Sequence, residues 1–179
     1  TPGVYPQWFG TAEIYNDVIT FDYDKSPEDV DSSISQRGIS VRYQDGGTGS
    51  VYGKARFTLP ADENTMLHLH KAFRSNRGVS QKLIKSVTEE GMNLTAGLMS
   101  SEEAYAEKRS IYTQWSSQQI SKGKFQTRLE RISTVDESTG KEATKNIPVI
   151  SYGSDGLPVH LDSDLADYGI DVNGFQITD

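Results

Sequence analysis

From Gly78 to Gly123 the chain carries two apolar repeats at helical spacing, and they follow a front half whose apolar residues recur at every second position. That switch of period constrains the fold most, because an amphipathic helix needs a cover for its apolar stripe and the strands before it supply one. In the first repeat Val79, Leu83, Ile84, Val87, Leu94 and Leu98 form one stripe. Met99-Ser100-Ser101-Glu102-Glu103 then restarts a helix. Ser100 and Glu103 stand three apart, so the hydroxyl accepts a backbone N–H while the carboxylate reaches back, which is the reciprocal capping box. In the second repeat Ala104, Ile111 and Trp115 make the stripe, with Tyr105 and Tyr112 on its flank. Lys108 falls inside that arc, so it has to snorkel or pair. Gly123 suits the position just past the helix end.

Strand patterns lie on both sides of this pair. Ile19, Phe21 and Tyr23 alternate with polar residues, Ile39, Val41 and Tyr43 do the same, and Val51, Gly53, Ala55, Phe57 and Leu59 give the clearest period of two. The glycine-rich stretch from Gln44 to Ser50 joins the last two runs as a flexible tip, predicting an antiparallel pair over 39–59. Pro60-Ala61-Asp62-Glu63 opens a short helix with Met66, Leu67, His70 and Phe73, which stops near Asn76-Arg77-Gly78. After Gly123 the β pattern returns from Phe125 to Val135, turns at Glu137-Ser138-Thr139-Gly140, and runs back from Ala143 to Ile150. Residues 151–164 read as a loop. A last strand from Ile170 to Ile177 changes phase between Val172 and Phe175, which predicts a bulge at Asn173-Gly174. Strands, then helices, then strands is an α+β order, with a mainly antiparallel sheet and two long helices packed on one face.

Composition narrows the function classes. A chain of 179 residues fits one domain. A formal net charge of −7 repels a phosphate backbone or an anionic lipid surface on average, so nucleic acid is disfavoured as a partner. Cysteine is absent, which removes thiolate catalysis, disulfides and cysteine-ligated zinc together. No run of about 18 apolar residues occurs, and no secretory signal. The opening Thr1-Pro2-Gly3, without an initiator methionine, reads as the start of a trimmed, soluble fragment.

Chemical motifs are weak. His68 and His70 would ligate a metal from a strand, but on a helix they point about 200° apart. Asp22 to Glu28 begins like a calcium loop, yet Pro27 stands where that loop needs glycine, and Ser33 replaces the bidentate glutamate. Gly46-Gly47-Thr48-Gly49-Ser50 lacks the lysine and the strand-to-helix setting of a phosphate cradle. Asn93-Leu94-Thr95 matches a glycosylation acceptor but lies within a predicted helix. His160 sits in a loop without a nucleophile elbow. These readings predict no catalytic residue, cofactor or metal; carboxylates converging with His68 or His160 in a deep pocket would reverse that expectation.

In their order these elements resemble the stomatin/prohibitin/flotillin (SPFH, or band 7) domain. Pro2-Gly3 and the aromatic residues after it are similar to the segment by which that family passes from its membrane anchor to its first strand. The strands at 39–59, ending at Leu59-Pro60, resemble its central hairpin. Segments 79–98 and 101–122, with Ser100, Glu102, Glu103 and Arg109 opening the second, resemble its helical pair. Gly169-Ile170-Asp171-Val172-Asn173-Gly174-Phe175-Gln176-Ile177 resembles its closing strand. The departure is residues 125–168, an inserted hairpin and loop where the family closes almost directly. The resemblance implies a non-enzymatic, membrane-associated scaffold that packs into homo-oligomers and organises lipids or client proteins, with an anchor and a coiled coil outside these residues.

Two surfaces come with that implication. Val4, Tyr5, Trp8 and Phe9 either dock at headgroup level or plug the end of the sheet. Lys54 and Arg56 against Glu102 and Glu107, with Arg109 beside them, would set register between neighbours. The alternative is a soluble adaptor or inhibitor that holds one protein partner through the 125–150 hairpin.

Overall fold

The computed structural model describes residues 12–27, 33–135 and 142–179. Val4, Tyr5, Trp8 and Phe9 lie outside these residues. The main sheet has four strands in the order β2 (Ser33–Ser35), β1 (Val18–Asp22), β5 (Gly53–Thr58), β8 (Asp171–Ile177). Its β1–β5 and β5–β8 pairs are antiparallel and β1–β2 is parallel. Ile19 lies opposite Phe57 and Phe21 opposite Ala55, and all four are fully buried on the face toward the helices. Each large side chain withdrawn this way contributes about 1.5–3 kcal/mol. On the other face Asp22 and Lys54 stand opposite each other and form an ion pair at 2.9 Å. In β8, Arg56 faces Gly174 while Phe57 faces Val172, leaving Asn173 as the extra residue of the expected bulge.

The run from Val51 to Leu59 is not one strand. β3 (Ile39–Arg42) and β4 (Thr48–Val51) make a separate two-stranded ribbon, and the chain crosses at Tyr52 into β5 of the main sheet. Tyr52 is held by the C-terminus, donating its N–H to the Asp179 carbonyl at 2.8 Å and accepting from Thr178 N–H at 2.8 Å. The alternation of burial runs unbroken through the crossing, so only the hydrogen-bond partners reveal it.

The glycine-rich tip of the ribbon is not loose either. Asp45 accepts from Ser101 N–H at 2.9 Å, Ser101 Oγ at 2.6 Å and Gly47 N–H at 2.8 Å, so it docks the turn onto the start of the second helical segment. These donors hold its carboxyl at about 2, below the usual carboxylate value.

Helix α1 (Glu63–Phe73) is capped by Asp62 and ends at Arg74 in the left-handed region, φ 68°. Asn76-Arg77-Gly78 does not end it. Those residues form α2 (Asn76–Gly78), started by Ser75 Oγ accepting from Gly78 N–H at 2.9 Å. A π-helical segment, Val79–Ile84, and α3 (Lys85–Ala96) continue from it. Val79, Leu83 and Ile84 are buried as their spacing requires, but further along it is Thr88, Gly91, Met92, Thr95 and Ala96 that face inward, and Leu94 is 40% exposed.

The second helical segment opens with the expected capping box: Glu103 accepts from Ser100 N–H at 3.0 Å, and Ser100 Oγ accepts from Glu103 N–H at 3.2 Å. Residues Glu103–Glu107 are then π-helical, and Lys108 N–H reaches back five residues to the Glu103 carbonyl before α4 (Arg109–Lys122) begins. A π turn holds one residue more than an α turn, so the inward face moves on by one position. Ala104 stays buried, but the core then takes Tyr112, Ser116, Gln119 and Ile120, while Ile111 and Trp115 are only half-buried. Tyr105, expected on the flank, is 78% exposed. Lys108 pairs with Glu103.

α3 packs on β3 and on α4, and α4 packs against β8, so the helices share one core with both sheets instead of lying together on a single sheet. At the α3–α4 crossing a Cβ on Gly91 would stand 2.7 Å from Ile120 Cγ1. An alanine there gains about 1 kcal/mol in helix propensity but pushes against a packed neighbour. Gly91→Leu should lower stability by about 2 kcal/mol in urea denaturation, and an unchanged midpoint would refute the close crossing.

The Asp45 contacts give a signed pH effect. A carboxyl depressed on folding adds stability that is complete above its unfolded value near 4 and disappears as pH falls through about 2. Asp45→Asn should therefore melt below the native chain at neutral pH, and the two melting curves should converge as pH approaches about 2.

Candidate interaction surface

Downstream of α4 the chain builds a structure outside the core. β6 (Thr127–Val135) and β7 (Glu142–Ile150) pair antiparallel over nine residues each, and no other strand borders them among the described residues. They form a projecting arm. A two-stranded ribbon is marginal alone, so its stability has to come from its root.

The root is built from α3, α4 and the loop after β7. Gly123 ends α4 at φ 101°, ψ 165°, a backbone region open to glycine, and a Cβ there would meet the Leu161 carbonyl at 2.1 Å. It thus serves close approach in place of the left-handed cap its position suggests. Residues 159–161 lie along 124–126, with Leu161 N–H donating to the Lys124 carbonyl at 2.7 Å and Gln126 N–H to the Val159 carbonyl at 2.8 Å. His160 donates from Nδ1 to the Gly123 carbonyl at 2.7 Å and packs on Phe125, which takes Trp115 edge-on from α4.

Beneath these rings sits Gln119, 3% exposed. Its Oε1 accepts from Phe125 N–H at 3.1 Å and its Nε2 donates to Thr95 Oγ1 at 2.8 Å, while Thr95 Oγ1 donates to the Gly91 carbonyl at 2.8 Å. One buried amide ties both helices to the first residue of the arm. Lys124 adds an ion pair to Glu90 on α3 at 2.8 Å.

Two grooves flank the root. A cleft of about 440 Å³ runs between the arm and the helices, lined by Leu98, Trp115, Glu103, Lys108, Arg128, Glu130 and the run Ile147–Ile150. A smaller one of about 200 Å³ lies between α3 and the arm, with Leu94, Leu98, Phe125 and Pro148 on its walls. Leu94 and Leu98, which the spacing places in the core, line these grooves instead.

Lys54 and Arg56 project from the β5 face away from the core, with Lys54 engaged by Asp22. Glu102 and Glu107 are exposed at the start of the second helical segment, and Arg109 donates to the Thr178 carbonyl at 2.6 Å. His68 and His70 share α1 but take part in packing, His68 stacked on Tyr168 and His70 Nδ1 at 2.7 Å from Tyr15 Oη. Among the described residues no three His, Asp or Glu side chains are grouped as metal ligands. No helix among them is long and apolar enough to cross a membrane. Gln119 and Thr95 escaped the sequence reading, because a polar residue reads as inward only once the π-turn offset is known.

Gln119→Leu keeps the bulk but strands the Phe125 N–H, a loss of about 1–3 kcal/mol. Amide exchange should accelerate across 124–150 by more than in α1; uniform acceleration would show that Gln119 supports the fold in general and not the arm. No protein-family model matches this chain, and neither a curated protein nor a solved structure does.

Proposed function

We propose that this domain is a non-catalytic assembly module of the SPFH, or band 7, kind, which packs beside copies of itself and organises client proteins at a membrane face. The observation that carries the reading is the arm. It leaves a core that is already closed, and it presents backbone edges and mixed charge outward, the features that lateral strand pairing uses. The strand-helix-helix-strand order, with β8 returning beside β5, supports the family resemblance. In this reading Lys54, Arg56, Glu102, Glu107 and Arg109 form a secondary contact surface.

The second reading, a soluble adaptor or inhibitor gripping one partner through 125–150, draws on the cleft of about 440 Å³, whose wall mixes Trp115, Ile147 and Val149 with Arg128 and Glu130. Light scattering separates the two. The assembly reading expects a mass above one chain that rises with concentration, whereas a strict monomer up to the solubility limit overturns it and leaves the adaptor.

A further inference from the structure

The two edges of the arm are chemically unequal. Leu129 and Pro148 stand directly opposite each other in the β6–β7 register. Proline has no N–H, so this pair cannot be one that exchanges two hydrogen bonds, and the alternation of an antiparallel ladder then fixes every other position. Arg128 with Val149 and Glu130 with Ile147 bond inward. The N–H and C=O groups of Thr127, Leu129, Arg131 and Ser133 therefore point out along the free edge of β6. Those of Asn146 and Thr144 point out from β7, where Pro148 interrupts the row and residues 147–150 line the cleft beside the helices. Only β6 offers an unbroken row of donors and acceptors.

We infer that this edge pairs antiparallel with β6 of a second copy, across a two-fold axis through Leu129; the inference rests on the self-assembly reading above. The charges select the register. A two-fold axis normal to the sheet keeps each residue on its own face, so a residue meets a partner of the same parity. Centring on Glu130 or on Arg131 sets like charges face to face. Centring on Leu129 sets Arg128 opposite the other copy's Glu130, twice, and at the positions where side chains approach most closely. On the other face Leu129, 74% exposed in the single chain, meets its own copy, with Pro148 flanking on both sides. No side-chain hydrogen bond or ion pair ties Arg128 or Glu130 to another described residue.

Sedimentation equilibrium of the full chain tests this. Arg128→Glu and Glu130→Arg should each weaken self-association about tenfold, since both symmetric contacts turn repulsive. The double variant R128E/E130R should restore it, and an equimolar mixture of the two single variants should associate, because every contact between unlike chains again joins opposite charges. Leu129→Pro removes an outward N–H without taking a bond from the hairpin, so it should abolish pairing while circular dichroism stays unchanged. If the native chain associates and the single reversals leave that association untouched, this register is overturned and assembly uses another surface. A native chain that stays monomeric overturns the register and the assembly reading together.

Discussion

One additional residue in the helical turn Glu103–Glu107 governs how most of the chain downstream of it packs. The segment obeys its capping box and begins where the sequence directs, but the i−5 bond from Lys108 to Glu103 advances the inward face by one position. Tyr112 enters the core in place of Ile111, where burial pushes its hydroxyl pKa up and the Met92 carbonyl accepts its hydrogen bond. Ile120 meets Gly91, and Gln119 arrives beneath the root of the arm. With a plain α turn, Trp115 would have entered the core and would not be free to pack on Phe125. The direction of the arm is thus set about twenty residues upstream of it.

Local patterns were legible wherever one partner sufficed to define them. Ile19, Phe21 and Phe57 alternate into the core, Ser100 and Glu103 cap a helix, the hairpin after Gly123 pairs along its described length, and the bulge falls at Asn173. What failed depended on choices between partners. The period of two runs through Tyr52 whether the next strand stays in the ribbon or joins the main sheet. β2 is three residues long and parallel to β1, too short to register as a pattern. A π turn carries no residue signature, so Leu94, Ile111 and Trp115 take their expected places from a helical phase that the backbone does not keep.

The site was legible as a hairpin and illegible as an arm. Exposed polar strands read alike whether they border a larger sheet or stand apart, and the difference lies in Gln119, Thr95 and His160, polar groups whose spacing gives no hint that they converge. Their bonds run between helix, helix and loop, so the root is cross-braced by directional contacts more than by apolar area. An apolar root would be free to swivel. A hydrogen-bonded one fixes the angle at which the strands leave the body, which a contact between repeated units requires.

Pro148 also limits growth. A ribbon with two competent edges can recruit strands without end, the route by which exposed β-structure becomes fibrous. If β6 of a second copy joins β6, both become interior strands, and each outer edge is then a β7 interrupted by Pro148. In the pairing inferred above, addition would saturate after a single step, and the valency of the arm would be one.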